Sequence, residues 1–250
     1  MNTMVCVTFF LITLSIACDF TPTIPCINTT QARGVMFAYL VLSWPGTFCL
    51  DKCCHSSIPL DKGFSIHGYW PQISYTEYPS CCYTQWTSDA ISTYISTHPT
   101  LQNDLATYWP SLKRCLFFNY EFLKHATCLP SLFSGKDAPS DFASIPLNFV
   151  KSHDVWAALK NNGIRDDYTK YSKSFITDIL FRVFNATPIL FCDGEYFDEL
   201  RLCSQIPYFN EVKEPNVFNC SSEAKQLETC GDIIVFPPYP EVDTNSICYY

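Results

Sequence analysis

The chain has 250 residues, 48% of them hydrophobic and only 16% charged, a balance that affords one large core and excludes a largely disordered protein. A formal net charge of -8 argues against tight, static binding of nucleic acid through phosphate neutralisation, while leaving room for an enzyme that must release a cleaved polyanion. At the N-terminus, Val5 to Ile16 is an apolar run too short to span a bilayer. With small Ser15 and Ala17 ahead of Cys18, it predicts a signal peptide over residues 1–17. No later segment approaches transmembrane length.

Met36 to Trp44 is β-branched and aromatic, bounded by Gly34 and Pro45-Gly46, and predicts a buried strand. Gly63 to Tyr69 predicts a second strand, ended by Trp70-Pro71. Thr87 to Thr97 and Leu101 to Tyr108 predict helices separated by Pro99, and Asn119 to Ala126 another. Ser140 to Lys151, His153 to Asn161 and Lys173 to Phe184 follow as helices; in the last, Phe175, Ile179, Leu180 and Val183 share one face. Pro188 to Cys192, Phe197 to Cys203 and Ile233 to Phe236 predict strands, with Asp193-Gly194 as a hairpin turn between the first two. This order lacks strict βαβ alternation. It predicts an α+β fold, a central antiparallel β-sheet packed with several α-helices, in a single disulfide-bonded domain over residues 26–250.

Cysteine usage points to an oxidising compartment. Of 15 Cys, 14 remain once Cys6 leaves with the signal, an even set that reads as a disulfide framework. Zinc is the alternative, but the adjacent pairs Cys53-Cys54 and Cys81-Cys82 are poor tetrahedral chelators and no CxxC occurs. No metal or other cofactor is expected. Sequons at Asn28, Asn185 and Asn219 fit export, to the outside or to a lysosomal or vacuolar lumen.

Two segments stand apart: FSIHGYWPQ (Phe64 to Gln72) and YEFLKHATC (Tyr120 to Cys128), each holding one of only five histidines. Glu121, Lys124 and His125 sit at i, i+3 and i+4, one face of a helix. Such a stripe alone reads as a solvated face, and His67 alone as a structural histidine. Brought together, they would supply two imidazoles, a carboxylate and an ammonium, a set suited to moving protons around a phosphate ester. His55, His98 and His153 lie outside both segments and read as structural or surface residues. No nucleophile elbow or Gly-rich phosphate loop occurs.

These segments resemble the ribonuclease T2 family. FAYLVLSWPGTFC (Phe37 to Cys49) is similar to its first strand and Trp-Pro turn, and FSIHGYWP to its first catalytic segment. YEFLKHATC resembles the second, whose pattern is His-Glu-Trp, any residue, Lys-His-Gly-Thr-Cys. FDELRLC (Phe197 to Cys203) and IIVFP (Ile233 to Pro237) resemble its late strands, so the likeness runs from Phe37 to Pro237. The resemblance implies a monomeric endoribonuclease that cleaves single-stranded RNA through a 2′,3′-cyclic phosphate without metal. His125 would be the general base and His67 the general acid, with Lys124 and Glu121 on the phosphoryl group. Activity peaking on the acidic side of neutral is expected.

The resemblance also implies that Trp70 and Tyr78 stack on the base 5′ to the cut, with Gln72 at its edge, where the family often has Asp. Tyr120 stands where the family usually has a phosphate-contacting His, and a phenol brings no positive charge at pH 7. Phe122 and Ala126 replace the usual Trp and Gly as packing changes. Ser43 replaces a Gln, which puts a second base site in doubt. By the same likeness Cys49 pairs with Cys53, Cys54 with Cys115, Cys82 (or Cys81) with Cys128, Cys192 with Cys230, and Cys203 with Cys220. Cys18, Cys26, Cys248 and one of Cys81 or Cys82 stay unassigned. Two rivals remain: a family member with weakened or lost catalysis that acts as a secreted binding or signalling glycoprotein, motivated by Tyr120, and an unrelated disulfide-rich structural glycoprotein.

Overall fold

The first predicted strand forms as β1 (Phe37–Ser43), and every residue along it is buried. A strand covered on both faces reads as a continuous apolar run, as FAYLVLS does. The computed structural model describes residues 34–50, 54, 56, 58–113, 115–207, 215–242 and 244. The predicted signal peptide, Asn28, Cys18, Cys26, Cys53, His55 and Cys248 lie outside those residues.

After β1 come α1 (Pro45–Phe48), β2 (Ser65–Gln72), α2 (Ser88–Ser96), α3 (Pro99–Tyr108), α4 (Phe117–Lys124) and a 3-10 turn (Ala126–Cys128). Then follow α5 (Pro130–Phe133), α6 (Ala138–Ser152), α7 (Val155–Asn161), β3 (Lys170–Ser172) and α8 (Lys173–Phe184). The chain ends with β4 (Ile189–Asp193), β5 (Tyr196–Ser204), β6 (Val217–Phe218), α9 (Ser222–Lys225) and β7 (Ile233–Val235). Local chemistry sets several boundaries. Thr87 and Ser172 cap α2 and α8 by accepting from Ala90 N and Phe175 N. α2 and α3 are separate as expected, and Pro99 itself opens α3, two residues ahead of the predicted Leu101, because a first-turn residue has no intrahelical N–H bond to lose. The Asp193-Gly194 hairpin forms, with Gly194 at a φ of 61°.

The sheet has seven strands in the order β2-β1-β5-β7-β3, with β4 and β6 also paired to β5. It is mixed, which corrects the antiparallel expectation: β7 runs parallel to β5, pairing Val235 with Tyr196. The reason lies in the connection. After α9 the chain is tied by Cys192–Cys230 to the end of β4, next to the start of β5. From there β7 can only enter alongside β5 in the same direction. β2 also runs on through Pro71 to Gln72 instead of stopping at Trp70-Pro71. It is the last strand in its direction, and an edge strand tolerates a residue without N–H.

One face of the sheet carries the main core. There Leu40, Leu42, Leu200 and Leu202 meet Trp109, Phe118, Phe122 and Phe142 from the helical side. The other face holds a smaller cluster around Phe37, Tyr39, Val41 and Ile189. Cys82 bonds to Cys128, Cys192 to Cys230 and Cys203 to Cys220. Cys49 bonds to Cys54, not Cys53, with a Cα–Cα distance of 5.8 Å. Because a sulfur takes one partner, the Cys54–Cys115 pairing falls as well; Cys115 and Cys81 are both disulfide-bonded. Asn185 and Asn219 are exposed, although the Asn219 side chain accepts a hydrogen bond from Thr187 N. No helix among the described residues is long and apolar enough to cross a membrane.

Candidate active site

His67 owes its position to a β-bulge. Val41 pairs with Gly68 and Leu42 with Ile66, so His67 is an extra residue in β2 with no partner in β1. A bulge breaks the two-residue alternation and re-aims side chains. Ile66 and Tyr69, three apart, both enter the main core, while Trp70 packs with the smaller cluster on the other face. The rings of His67 and Trp70 meet edge to face at 4.8 Å. Gly68 is required between them: a Cβ there would collide with Trp70 Nε1 and Glu121 Oε2.

The second segment forms α4 two residues earlier than predicted, starting after Leu116 at a φ of 61° and ending at Lys124, with His125 as its C-cap. Phe118 and Phe122 bury one side in the main core. Glu121 (1% exposed) and His125 (2%) are not a solvated stripe; only Lys124 of the three is partly open. Glu121 Oε2 accepts from Trp70 Nε1 at 2.8 Å and lies 3.7 Å from His125 Nε2. The imidazole of His125 stacks beside Trp70 at 5.4 Å and 26°. Neither of its ring nitrogens has a hydrogen-bond partner among the described residues. Behind it, the Cys82–Cys128 bond and the hydrogen bonds Cys81 N to Lys124 O and Cys82 N to Thr127 Oγ1 tie the end of α4 to the segment after β2.

Two further residues complete the site from β5, and sequence reasoning missed both. Glu199 Oε2 accepts from His67 Nδ1 at 2.6 Å, and Ser43 Oγ lies 3.5 Å from the same nitrogen. Arg201 Nε donates to the other oxygen of Glu199 at 2.7 Å. The guanidinium then lies over Phe191 at 3.9 Å and Trp70 at 5.0 Å. A signal was available in FDELRLC, where Glu199 and Arg201 alternate with Leu200 and Leu202 in a strand inside the sheet; charges there need partners.

These contacts push the two imidazoles apart in basicity. Burial disfavours charge on His67, but the hydrogen bond and charge of Glu199, with the charge of Glu121, outweigh it and raise its pKa. His125 is held well below the usual histidine value by burial, reinforced by the charges of Lys124 and His67. Burial raises the Glu121 carboxyl, against His67, the Trp70 hydrogen bond and Lys124. For Glu199 burial also acts upward, yet the hydrogen bond and charge of His67, together with Arg201, leave it lowered.

The polar groups open onto two clefts. One, of about 280 Å³, is lined by Ser43, His67, Phe117, Tyr120, Glu121 and Lys124 among others. The second, of about 360 Å³, is lined by Trp70, Gln72, Tyr78, Lys124, His125 and Arg201 among others. Lys124 borders both. Its ammonium lies 5.2 Å from the Tyr120 ring. Tyr78 is half exposed, 6.0 Å from the His125 ring. Gln72 is buried and its amide donates to Trp70 O, so part of its edge is already used. His67, Trp70, Gln72, Tyr120, Glu121, Lys124 and His125 thus each line one of these two clefts, while Phe122 and Ala126 lie in the core.

Comparisons with known proteins give the family and the fold. The Ribonuclease T2 family matches residues 35–230. "Ribonuclease 1" of Arabidopsis thaliana is 30% identical over 67% of this chain and 72% of its own length. "Extracellular ribonuclease LE" of Solanum lycopersicum is 29% identical over 65% and 70%. Among solved structures, an RNase-related protein from Calystegia sepium superposes with a TM-score of 0.63 at 24% identity, covering 82% of this chain and 98% of that one. RNase NT in complex with 5′-AMP gives 0.62 at 24% identity, covering 82% and 100%. Likeness at that level carries the fold alone. The family match spans most of the sequence and includes both histidine segments and the strand bearing Glu199, and on that ground the chain belongs to the ribonuclease T2 family.

Proposed function

We propose that the protein is an endoribonuclease that cleaves single-stranded RNA by metal-independent transesterification through a 2′,3′-cyclic phosphate. One observation carries the reading. Two imidazoles flank the Trp70–Glu121 hydrogen bond, and their surroundings drive them to opposite protonation states. Neutral His125 removes the 2′-OH proton, and that oxygen attacks phosphorus. Protonated His67 gives its proton to the departing 5′-oxygen. Lys124 faces the charge that builds on the non-bridging oxygens. Glu121, whose Oε2 accepts from Trp70 Nε1 and which lines the same cleft as His67, polarises the phosphoryl group. Half-exposed Tyr78 presents its ring to the base 5′ to the cut, with Trp70 lining the same cleft, and such stacking contributes about 1–3 kcal/mol per base. Family membership, the disulfide framework and a relative named as extracellular support export as the setting for this activity.

The test is direct. Oxidised protein is incubated with a dinucleotide or polyribonucleotide across pH 4 to 8, and cyclic-phosphate products are sought, with His67→Ala and His125→Ala alongside. Cleavage that survives both substitutions rules the mechanism out. One observation favours a second reading, a catalytically weakened member acting as a binding glycoprotein: Tyr120 borders the cleft beside His67 and brings no charge at pH 7. An inert wild type that still binds RNA selects it.

A further inference from the structure

The reaction as drawn uses His67 but not Glu199, a carboxylate that is 6% exposed in a strand inside the sheet. We infer that Glu199 is a positioning residue for the general acid, holding His67 by Nδ1 so that Nε2 carries the transferable proton, with Arg201 locking Glu199 in place. The inference rests on the proposed ribonuclease reading and deepens it.

Three features support it. Glu199 meets His67 Nδ1 at 2.6 Å, which leaves the opposite ring nitrogen as the one available to substrate. In the imidazolium both nitrogens carry a proton; with Nδ1–H kept by Glu199, the proton given up is the one on Nε2, and the ring is left as the Nδ1–H tautomer. Both oxygens of Glu199 are engaged, one by His67 and one by Arg201 Nε, so the carboxylate has no rotational freedom. Glu199 pairs with Ser43 across β1, and His67 is the bulge residue beside it, so the bulge and the carboxylate meet at one point of the sheet. The other groups around His67 pull in both directions. From α4 come Glu121 and Lys124, with His125 at its cap; from β5 come Arg201 and Asp198; Lys113 borders the same cleft. Of these charged groups among the described residues, Glu199 is the one whose contact with the ring nitrogen is direct. No bond to carbon or phosphorus changes at Glu199; the proton delivered to the 5′-oxygen leaves from Nε2 of His67.

The experiment compares wild type with Glu199→Gln by two readouts. The rate of dinucleotide cleavage is followed from pH 4 to 9, and the His67 imidazole is titrated by NMR. With Glu199→Gln, the alkaline limb of the rate profile moves to lower pH and the His67 titration moves with it. Activity on the plateau falls about tenfold, a fraction of the ~10²–10⁴-fold that a general acid contributes, with little change in KM. A merely structural glutamate would lower the yield of active protein and leave the limb in place; that result overturns the inference. Should Glu199→Gln not fold, the wild type alone decides: a His67 titrating below an ordinary histidine sinks the pairing. The NMR titration reads the pair even in an inert protein, so failure of the ribonuclease reading and failure of this one give different results.

Discussion

Replacing Gly68 by Ala adds one methyl group at the point where the two histidine segments touch. The built Cβ falls inside contact distance of Trp70 Nε1, Glu121 Oε2 and Trp70 Cδ1, the last at 2.9 Å. None of these can retreat easily. The indole is held between His67, His125 and the Arg201 guanidinium, and Glu121 is 1% exposed. Relief therefore requires breaking the 2.8 Å Trp70–Glu121 hydrogen bond. Overpacking a filled site costs about 1–3 kcal/mol, and a buried charged group losing its donor about 1.5–3 kcal/mol. The expected loss is about 3–5 kcal/mol, a large part of the ~5–15 kcal/mol that holds a domain folded. Urea unfolding of oxidised wild type and Gly68→Ala measures it, and cyclic-phosphate release from a dinucleotide measures the accompanying fall in rate, at least about tenfold if the imidazoles are displaced by an ångström. A variant within about 1 kcal/mol of wild type, with unchanged rate, would refute the crowding argument.

Three further outcomes follow from the same geometry. Because His125 is shifted down and His67 up, the rate profile is a bell whose acid limb lies below an ordinary histidine pKa and whose alkaline limb lies above it; a profile still rising above pH 8 contradicts the assignment. Tyr120→His puts an imidazole in the cleft beside His67 and raises kcat/KM by about tenfold at mildly acidic pH, the worth of one charge-assisted hydrogen bond to phosphate, which steady-state kinetics will show or deny. Removing the Cys82–Cys128 bond as a double Ala variant opens a loop of 46 residues, costs about 4 kcal/mol by chain entropy, and lowers activity because that bond anchors the turn after His125. Thermal unfolding at unchanged Tm would count against it.

What the sequence revealed and what it hid divide along physical lines. The predicted Lys173 to Phe184 helix is found with both ends in place, because its cap at Ser172 is local; its buried face, however, is Ile176, Ile179, Leu180 and Phe184, and Phe175, expected on that face, is exposed. The strand predicted over Met36 to Trp44 is found as Phe37–Ser43, legible because burial on both faces writes itself into each of those residues; Met36, ahead of it, is exposed. His67, Trp70, Glu121, Lys124 and His125 stood out as motif residues, but nothing local said that Glu121 would be buried under an indole. Glu199 lies 132 residues from His67, and only the pairing of β1 between β2 and β5 brings them together. The bulge was hidden because register belongs to two strands and not to one. Cys53 and Cys54 are neighbours in the chain, and choosing between them depends on where each sulfur points, which spacing does not encode.

The indole of Trp70 sits 4.8 Å from one imidazole ring and 5.4 Å from the other. An imidazolium in contact with an excited indole drains its fluorescence far more than neutral imidazole does. Light from Trp70 is therefore expected to brighten as each histidine sheds its charge, and substituting that one ring separates its signal from the other tryptophans. The protonation state on which the proposed reaction turns would then be followed in the resting protein, without RNA and without turnover.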